Sequence, residues 1–326
     1  MKLYLYKNVI HKLSDVVFYT HLQCRDGCFL FGENGGNKMT VVVNDLKGLY
    51  HELKKEFKAL DVDDFIVKVE RNFHESLSDE GKLNRLLLAA LDRISIEEPE
   101  WTYVAARIEL ERLYSEVAAN RGYGSSQRYG SFLELIETLI EKHIYTPKLL
   151  EKYTPLEITF LGKMIDSKKD KLFTYIGLKT LSDRYLAKDH DGAIYELPQE
   201  RFMIIAMTLM QNEPEKKRLE LVYEAYWALS NLYMTVATPT LSNAGKAYGQ
   251  LSSCFIDTVD DSLRGIFDSN TDIATLSKNG GGIGVYLGKI RPLGSDIRGF
   301  KGVSSGVLPW MKQLNNTAVS VDQLWQ

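Results

Sequence analysis

Apolar residues recur at spacings of three and four along most of the chain up to Thr235, and that rhythm then breaks down. Residues 1–45 read as short strands and turns, with the β-branched run Val41-Val42-Val43 behind Gly32, Gly35 and Gly36. From Asp45 to Phe73 the pattern turns helical, with Leu46, Leu49, Leu53, Phe57 and Leu60 on one face. A stronger helix carries Leu83, Leu86, Leu87, Ala90, Leu91 and Ile94, and Glu98-Pro99 breaks it. The next runs from Trp101 to Val117, with Val104, Ala105, Ile108 and Leu113 on one side. Asn120 to Tyr129 has loop composition and is a candidate boundary. Further helices are predicted over Phe132–His143, Leu156–Asp166, Leu172–Leu186, Pro198–Gln211 and Pro214–Thr235, the last with proline in its first turn. The pattern is that of a helical scaffold.

From Val236 onward Gly, Ser, Thr and Pro increase, and short β-prone runs appear: Ser253–Ile256, Ile283–Leu287 and Gly306–Leu308. Between the first two, Asp261–Ser277 reads as a helix with Ile266, Ile273 and Leu276 inward. Strand, helix, strand with tight connections is an α/β pattern, and chemistry collects on the loops at such strand ends.

Composition narrows the setting. The 326 residues are 44% hydrophobic and 25% charged, with a net charge of −3, so no broad basic surface for nucleic acid or an anionic membrane is expected. No apolar run reaches the roughly 18 residues of a membrane span. Three cysteines suit a reducing cytoplasm better than a secreted disulfide scaffold.

Each chemical candidate has a structural alternative. Cys254, in Leu251–Ile256, is either a reactive thiol or a small buried core residue. The run Gly280-Gly281-Gly282-Ile283-Gly284 follows a helix and enters a strand, so it is neither a dinucleotide fingerprint nor a P-loop. It is either a tight turn or a place where backbone N–H groups approach an anion or a sugar. Thr238–Asn243 reads as a polar turn suited to sugar hydroxyls or to structure. His21, Cys24 and Cys28 are loosely spaced and have no second cysteine pair, so no metal is assigned. The remaining histidines have no nearby nucleophile in sequence, and Lys54-Lys55 and Lys168-Lys169 read as solvated faces.

The order of these signals is more specific than any one of them. Ala237–Gly245 (ATPTLSNAG), Gln250–Phe255 (QLSSCF), Asp261–Leu263 (DSL), Gly280–Gly284 (GGGIG) and Lys289–Gly299 (KIRPLGSDIRG) follow one another at fixed distances. The series resembles the large, catalytic subunit of class I ribonucleotide reductases. Tyr153–Glu157 to Tyr185-Leu186 is similar to that family's helical N-terminal domain, and the likeness runs from about Asp79 to Gln323.

The resemblance implies a mostly helical region followed by the first part of a ten-stranded α/β barrel, incomplete in this chain. It implies reduction of ribonucleoside diphosphates through a thiyl radical, with Cys254 as one of two redox cysteines. Thr238, Ser253 and Gly282 would line the substrate site. Asp261, Ser262, Leu263, Arg291 and Ile297 would hold a specificity-setting deoxynucleotide or ATP effector, and the 261–277 helix region would pair two subunits. No cofactor is expected on the chain itself. A dimetal small subunit would supply the radical, a thioredoxin- or glutaredoxin-type reductant would restore the thiols, and the C-terminal half of the subunit would complete the barrel.

Two departures qualify the likeness. No cysteine follows Cys254, and Leu324-Trp325-Gln326 does not continue the family pattern. The chain alone is therefore expected to be inactive. Residues 1–75 lack the basic, glycine-containing opening of the family's nucleotide-sensing cone, so shutdown by dATP through a cone is not expected. The expected division is 1–75 as a divergent α+β segment, 76–235 as the helical domain and 236–326 as the start of the barrel. A non-catalytic, nucleotide-binding or dimerising fragment and a cobalamin-dependent reductase of the same barrel family remain alternatives.

Overall fold

The computed structural model describes residues 46–124, 127–279 and 281–321. The run Val41–Val43 and the trio His21, Cys24 and Cys28 lie outside them. The chain divides into two compact units, one reaching Thr235 and including Ala244–Tyr248, the other made of Val236–Asn243 and the residues from Gly249 on.

The first unit is helical: α1 (Leu46–Glu56), α2 (Val62–Glu70), α3 (Asp79–Leu91), α4 (Trp101–Arg121), α5 (Phe132–Glu141), α6 (Lys148–Lys152), α7 (Pro155–Lys163), α8 (Tyr175–Arg184), α9 (Pro198–Met210) and α10 (Glu215–Ser230). Side chains close the exposed helix starts, because the first-turn N–H groups have no partner within a helix. Ser78 accepts from Gly81 N, Ser131 from Glu134 N, and Thr154 forms a reciprocal capping box with Glu157. Gly122, at φ 71°, ends α4 in the left-handed region. Leu49, Leu53, Phe65, Leu83, Leu86, Trp101, Ala105 and Ile108 form one core, so α1 and α2 pack with α3 and α4. Helix α9 is buried nearly all round, with Met203 to Met207 fully inside.

Three predicted boundaries move. The helix expected over 45–73 is two helices, because Asp61 accepts from Asp64 N at 2.9 Å and caps a new start. The helix expected from Leu172 begins at Tyr175, capped by Thr174, and Ser167–Leu172 forms a 3₁₀ turn instead. The helix expected to reach Thr235 stops at Ser230, and Leu232 adopts a φ of 57°.

The second unit contains α11 (Thr238–Asn243), β1 (Cys254–Thr258), α12 (Leu263–Lys278), β2 (Gly282–Tyr286) and α13 (Leu308–Val321). Strands β1 and β2 are parallel and joined through α12, with Cys254 opposite Gly282 and Thr258 opposite Tyr286. Val259, Ile266, Ile273, Ile290 and Leu314 are its buried core, with Ile283 and Val285 packed against them. Along the predicted α12 face, Ile266 and Ile273 are buried and Leu276 is half-buried.

Two expectations are overturned here. Gly306–Leu308 is not a strand: Gly306 turns at φ 71° and Leu308 opens α13, whose first turn holds Pro309, where a missing N–H costs nothing. Thr238–Asn243 is a short helix rather than an open turn, with Leu241 N donating to Ala237 O at 2.9 Å.

Candidate functional site

Cys254 is the first residue of β1 and is exposed as a free thiol. Among the described residues no side chain buries it. Pleating places Cys254, Ile256 and Thr258 on one face of the pair, beside Gly282, Gly284 and Tyr286 of β2, while Phe255, Asp257, Ile283 and Val285 are half-buried on the other. The Ser253 hydroxyl donates to Cys254 Sγ at 3.5 Å.

The described glycines of the run have different reasons. A Cβ on Gly281 would lie 2.7 Å from the Phe255 ring and 3.1 Å from Leu276 O, so packing requires glycine there. Gly282 N donates to Ser253 O at 2.9 Å, and a Cβ would meet that oxygen at 3.3 Å. With no side chain at Gly282, the face directly beside Cys254 stays bare backbone. Gly280 is outside the described residues. Thr238 is exposed in the first turn of α11.

The other predicted cluster forms at the opposite end of the strands. Arg291 Nε donates to Asp261 Oδ2 at 2.7 Å, and its other nitrogens reach Asp261 O at 3.4 Å and Asp296 O at 3.2 Å. Ser262 caps α12 by accepting from Gly265 N at 3.0 Å, and Leu263 beside it is exposed. Ile297 exchanges two backbone hydrogen bonds with Phe300, both 3.0 Å long. Five-residue strands separate Cys254 and Gly282 from the segments that carry Asp261 and Arg291, a length of roughly 13 Å at the usual rise. Thus the structure groups Ser253, Cys254 and Gly282 at one end, and Asp261, Ser262, Leu263 and Arg291 at the other.

Between α12, β2 and α13 lies an apolar groove of about 470 Å³, lined among others by Ile273, Ile283, Val285, Leu287, Met311 and Leu314. Among the described residues no three His, Cys, Asp or Glu side chains gather as a metal site would need. No described helix is long and apolar enough to cross a membrane.

Comparison with known proteins bears on both units. Residues 171–249 match the family model "Ribonucleotide reductase, all-alpha domain", and residues 252–326 match "Ribonucleotide reductase, barrel domain". The ribonucleoside-diphosphate reductase subunit alpha of Helicobacter pylori (strain 26695) is 41% identical over 252 residues, 77% of this chain and 31% of that protein. The proteins of the same name from Treponema pallidum and Enterobacteria phage T4 are 41% and 36% identical, over 77% and 73% of this chain and 30% and 31% of their own lengths. The chain belongs to the ribonucleotide reductase large-subunit family. It spans about a third of the length of these relatives. Its fold is a mostly helical region followed by the start of the reductase barrel domain. Among the described residues, two parallel strands of that barrel are present.

Of the candidate residues, Ser253, Cys254, Asp261, Ser262, Leu263, Gly282, Arg291 and Ile297 fall in the barrel-domain match, and Thr238 falls in the all-alpha match. The helical unit also holds a buried polar network that periodicity did not reveal. Asp170, fully buried, accepts from Tyr114 Oη at 2.6 Å, Tyr129 Oη at 2.8 Å and Gln199 Nε2 at 2.8 Å. Burial pushes its carboxyl up to about 6. Glu200, also fully buried, accepts from Arg121 at 2.8 and 3.0 Å and from Leu197 N at 2.9 Å, and burial pushes it up to about 7 against the pull of Arg121. Glu196 accepts from Ala187 N at 2.7 Å and from the Tyr145 hydroxyl, with Arg201 3.5 Å away. The available signal was Glu196, Gln199, Glu200 and Arg201 crowded at the start of an otherwise apolar helix.

Proposed function

We propose that this chain contributes the helical domain and the first barrel strands of a cytoplasmic ribonucleoside-diphosphate reductase, with Cys254 as one of its two redox thiols. The observation that carries the reading is the exposed Cys254 thiol in register with a glycine whose bare backbone faces the same side. Replacing a ribose 2′-hydroxyl by hydrogen consumes two electrons and two protons and releases water. Two thiols supply both as their S–H bonds break and one S–S bond forms. A thiyl radical on a further cysteine removes the 3′-hydrogen and later returns it, and an outside dithiol of the thioredoxin or glutaredoxin type re-reduces the disulfide. Thr238, Ser253 and Gly282 would line the ribose and diphosphate. Residues 1–75, 76–235 and 236–326 would serve as a divergent leading segment, the helical domain and the barrel start.

No cysteine follows Cys254 in these 326 residues, and the family resemblance puts the second redox thiol and the thiyl cysteine further along the subunit, so on this reading another segment supplies them. The apolar groove beside β2, and the outer edges of β1 and β2, suit further strands of such a segment. A dimetal small subunit would initiate the radical. The purified chain, supplied with a small subunit and a dithiol, should therefore form no deoxynucleotide, and adding the completing segment should restore it. Product formation by the chain without that segment would overturn the reading.

Asp261, Ser262, Leu263, Arg291 and Ile297 would receive a nucleoside triphosphate effector near the helix α12 surface that pairs subunits. Arg291 is already held by Asp261, so its guanidinium is oriented before a phosphate arrives. Arg291→Ala in the complete enzyme should weaken the effector by about 1.5–3 kcal/mol, the scale of a charge-assisted hydrogen bond. Equilibrium binding of a labelled deoxynucleoside triphosphate reads this, and unchanged affinity would remove Arg291 from the site.

A further inference from the structure

Among the described residues, Gly249 to Ser252 pair with no strand, so something other than sheet pairing sets their path into Cys254. Side chains do it. Thr240, fully buried on α11, donates from Oγ1 to Leu251 O at 2.8 Å. Asn243 Nδ2 donates to Gln250 O at 3.0 Å, and Gly249, at φ 107°, lets the chain pass close against the Asn243 amide. These two bonds anchor the backbone of the segment. They leave open its spacing from the other strand entry, where Gly281 and Gly282 follow α12.

Gln250 spans that gap. Its Oε1 accepts from Ser252 N at 2.6 Å, two residues before Cys254. Its Nε2 donates to Asn279 O at 3.2 Å, at the end of α12 and three residues before Gly282. One planar amide thus uses its acceptor on the approach to the thiol and its donor on the approach to the glycine beside it. The backbone bond from Gly282 N to Ser253 O, 2.9 Å long, then completes the junction.

We propose that Gln250 is a positioning residue for Cys254, setting the thiol against the Gly282 backbone through opposite ends of its side-chain amide. The proposal rests on the redox reading of Cys254. It follows from what that chemistry demands, since a disulfide needs the two Cα atoms within about 7 Å and a misplacement near 1 Å costs on the order of a hundredfold in rate. A glutamine is suited to the task where glutamate is not. A carboxylate could still accept from Ser252 N, but it would present an acceptor to the Asn279 carbonyl and lose the cross-link.

The test is Gln250→Glu and Gln250→Met in the complete enzyme, with Cys254→Ser alongside. Three quantities are read: kcat, the Kd for the diphosphate substrate, and the amount of disulfide formed in one turnover without external dithiol. The expected result for Gln250→Glu is a fall of about tenfold or more in kcat and in disulfide yield, with substrate Kd and melting temperature unchanged. Gln250→Met, which lacks both ends of the amide, should fall at least as far, and the Glu variant decides if the Met variant does not fold. Normal kcat and disulfide yield in Gln250→Glu, with Cys254→Ser inactive, would overturn the positioning role while keeping the redox reading. Parallel loss of kcat, affinity and melting temperature would make Gln250 a structural residue only and would equally overturn it. Sustained turnover in Cys254→Ser would remove the redox reading itself, and the positioning role with it.

Discussion

Cys254→Ser in the complete enzyme should stop deoxynucleotide formation while leaving fold, assembly and substrate binding intact. The loss should be on the order of a thousandfold or more, the scale seen when a group that takes part in bond making is removed. Serine keeps the shape and a hydrogen-bonding group, but its O–H bond is too strong to give up the hydrogen and it forms no disulfide. The Ser253 hydroxyl already lies 3.5 Å from Cys254 Sγ, so a serine hydroxyl there keeps a polar partner and the penalty for an unpaired buried polar group is small. The melting temperature should therefore hardly move. On the proposed reading the 3′-hydrogen is taken by a different cysteine, so its removal should persist and the substrate radical should decay along a side path. Product assay and thermal melting on one preparation are the measurement. Sustained turnover would exclude Cys254 from the chemistry.

What could be read from the sequence depended on how local the cause was. Helix existence was legible because a buried stripe at a period of 3.6 is a local signal, and α3, α4 and α12 lie where their leucines, alanines and isoleucines placed them. Interruptions were less legible. The break between α1 and α2 is set by one carboxylate at Asp61, and the apolar spacing runs through it. Gly306–Leu308 was misread because a short apolar run beside glycine fits strand and helix start alike, and Pro309 decides for the helix. At the site, the motif order carried the family, while the exposure of Cys254 and the separate reasons for Gly281 and Gly282 needed the strand register. The Gln250 bridge joins residues 29 apart, and periodicity carries no trace of it.

The largest stability effect is expected at Asp170, whose partners come from far along the chain: Tyr114 is 56 residues away, Tyr129 41 and Gln199 29. Asp170→Ala would leave two buried hydroxyls and an amide without their acceptor. At about 1–3 kcal/mol for each orphaned group, the total should be about 3–5 kcal/mol, with some relief where water enters. Asp170→Asn is the sharper probe, because it keeps the shape and cannot ionise. The folded carboxyl is raised from 3.8 to about 6, with burial as the main cause and the three hydrogen bonds opposing it. Between those values the folded chain holds a proton that the unfolded chain has released. Asp170 therefore contributes stability that is complete below about pH 4 and is lost as pH rises through about 6. A depressed aspartate would give the opposite slope. The stability of the native protein relative to Asp170→Asn should thus decline between pH 4.5 and 7.5 by about 2 kcal/mol, at 1.36 kcal/mol per unit over the roughly 1.5 units up to pH 6. Glu200, with its own raised carboxyl, is present in both proteins and cancels in the difference. Urea unfolding of both across that range gives the comparison, and parallel curves would show that Asp170 carries no proton into the fold.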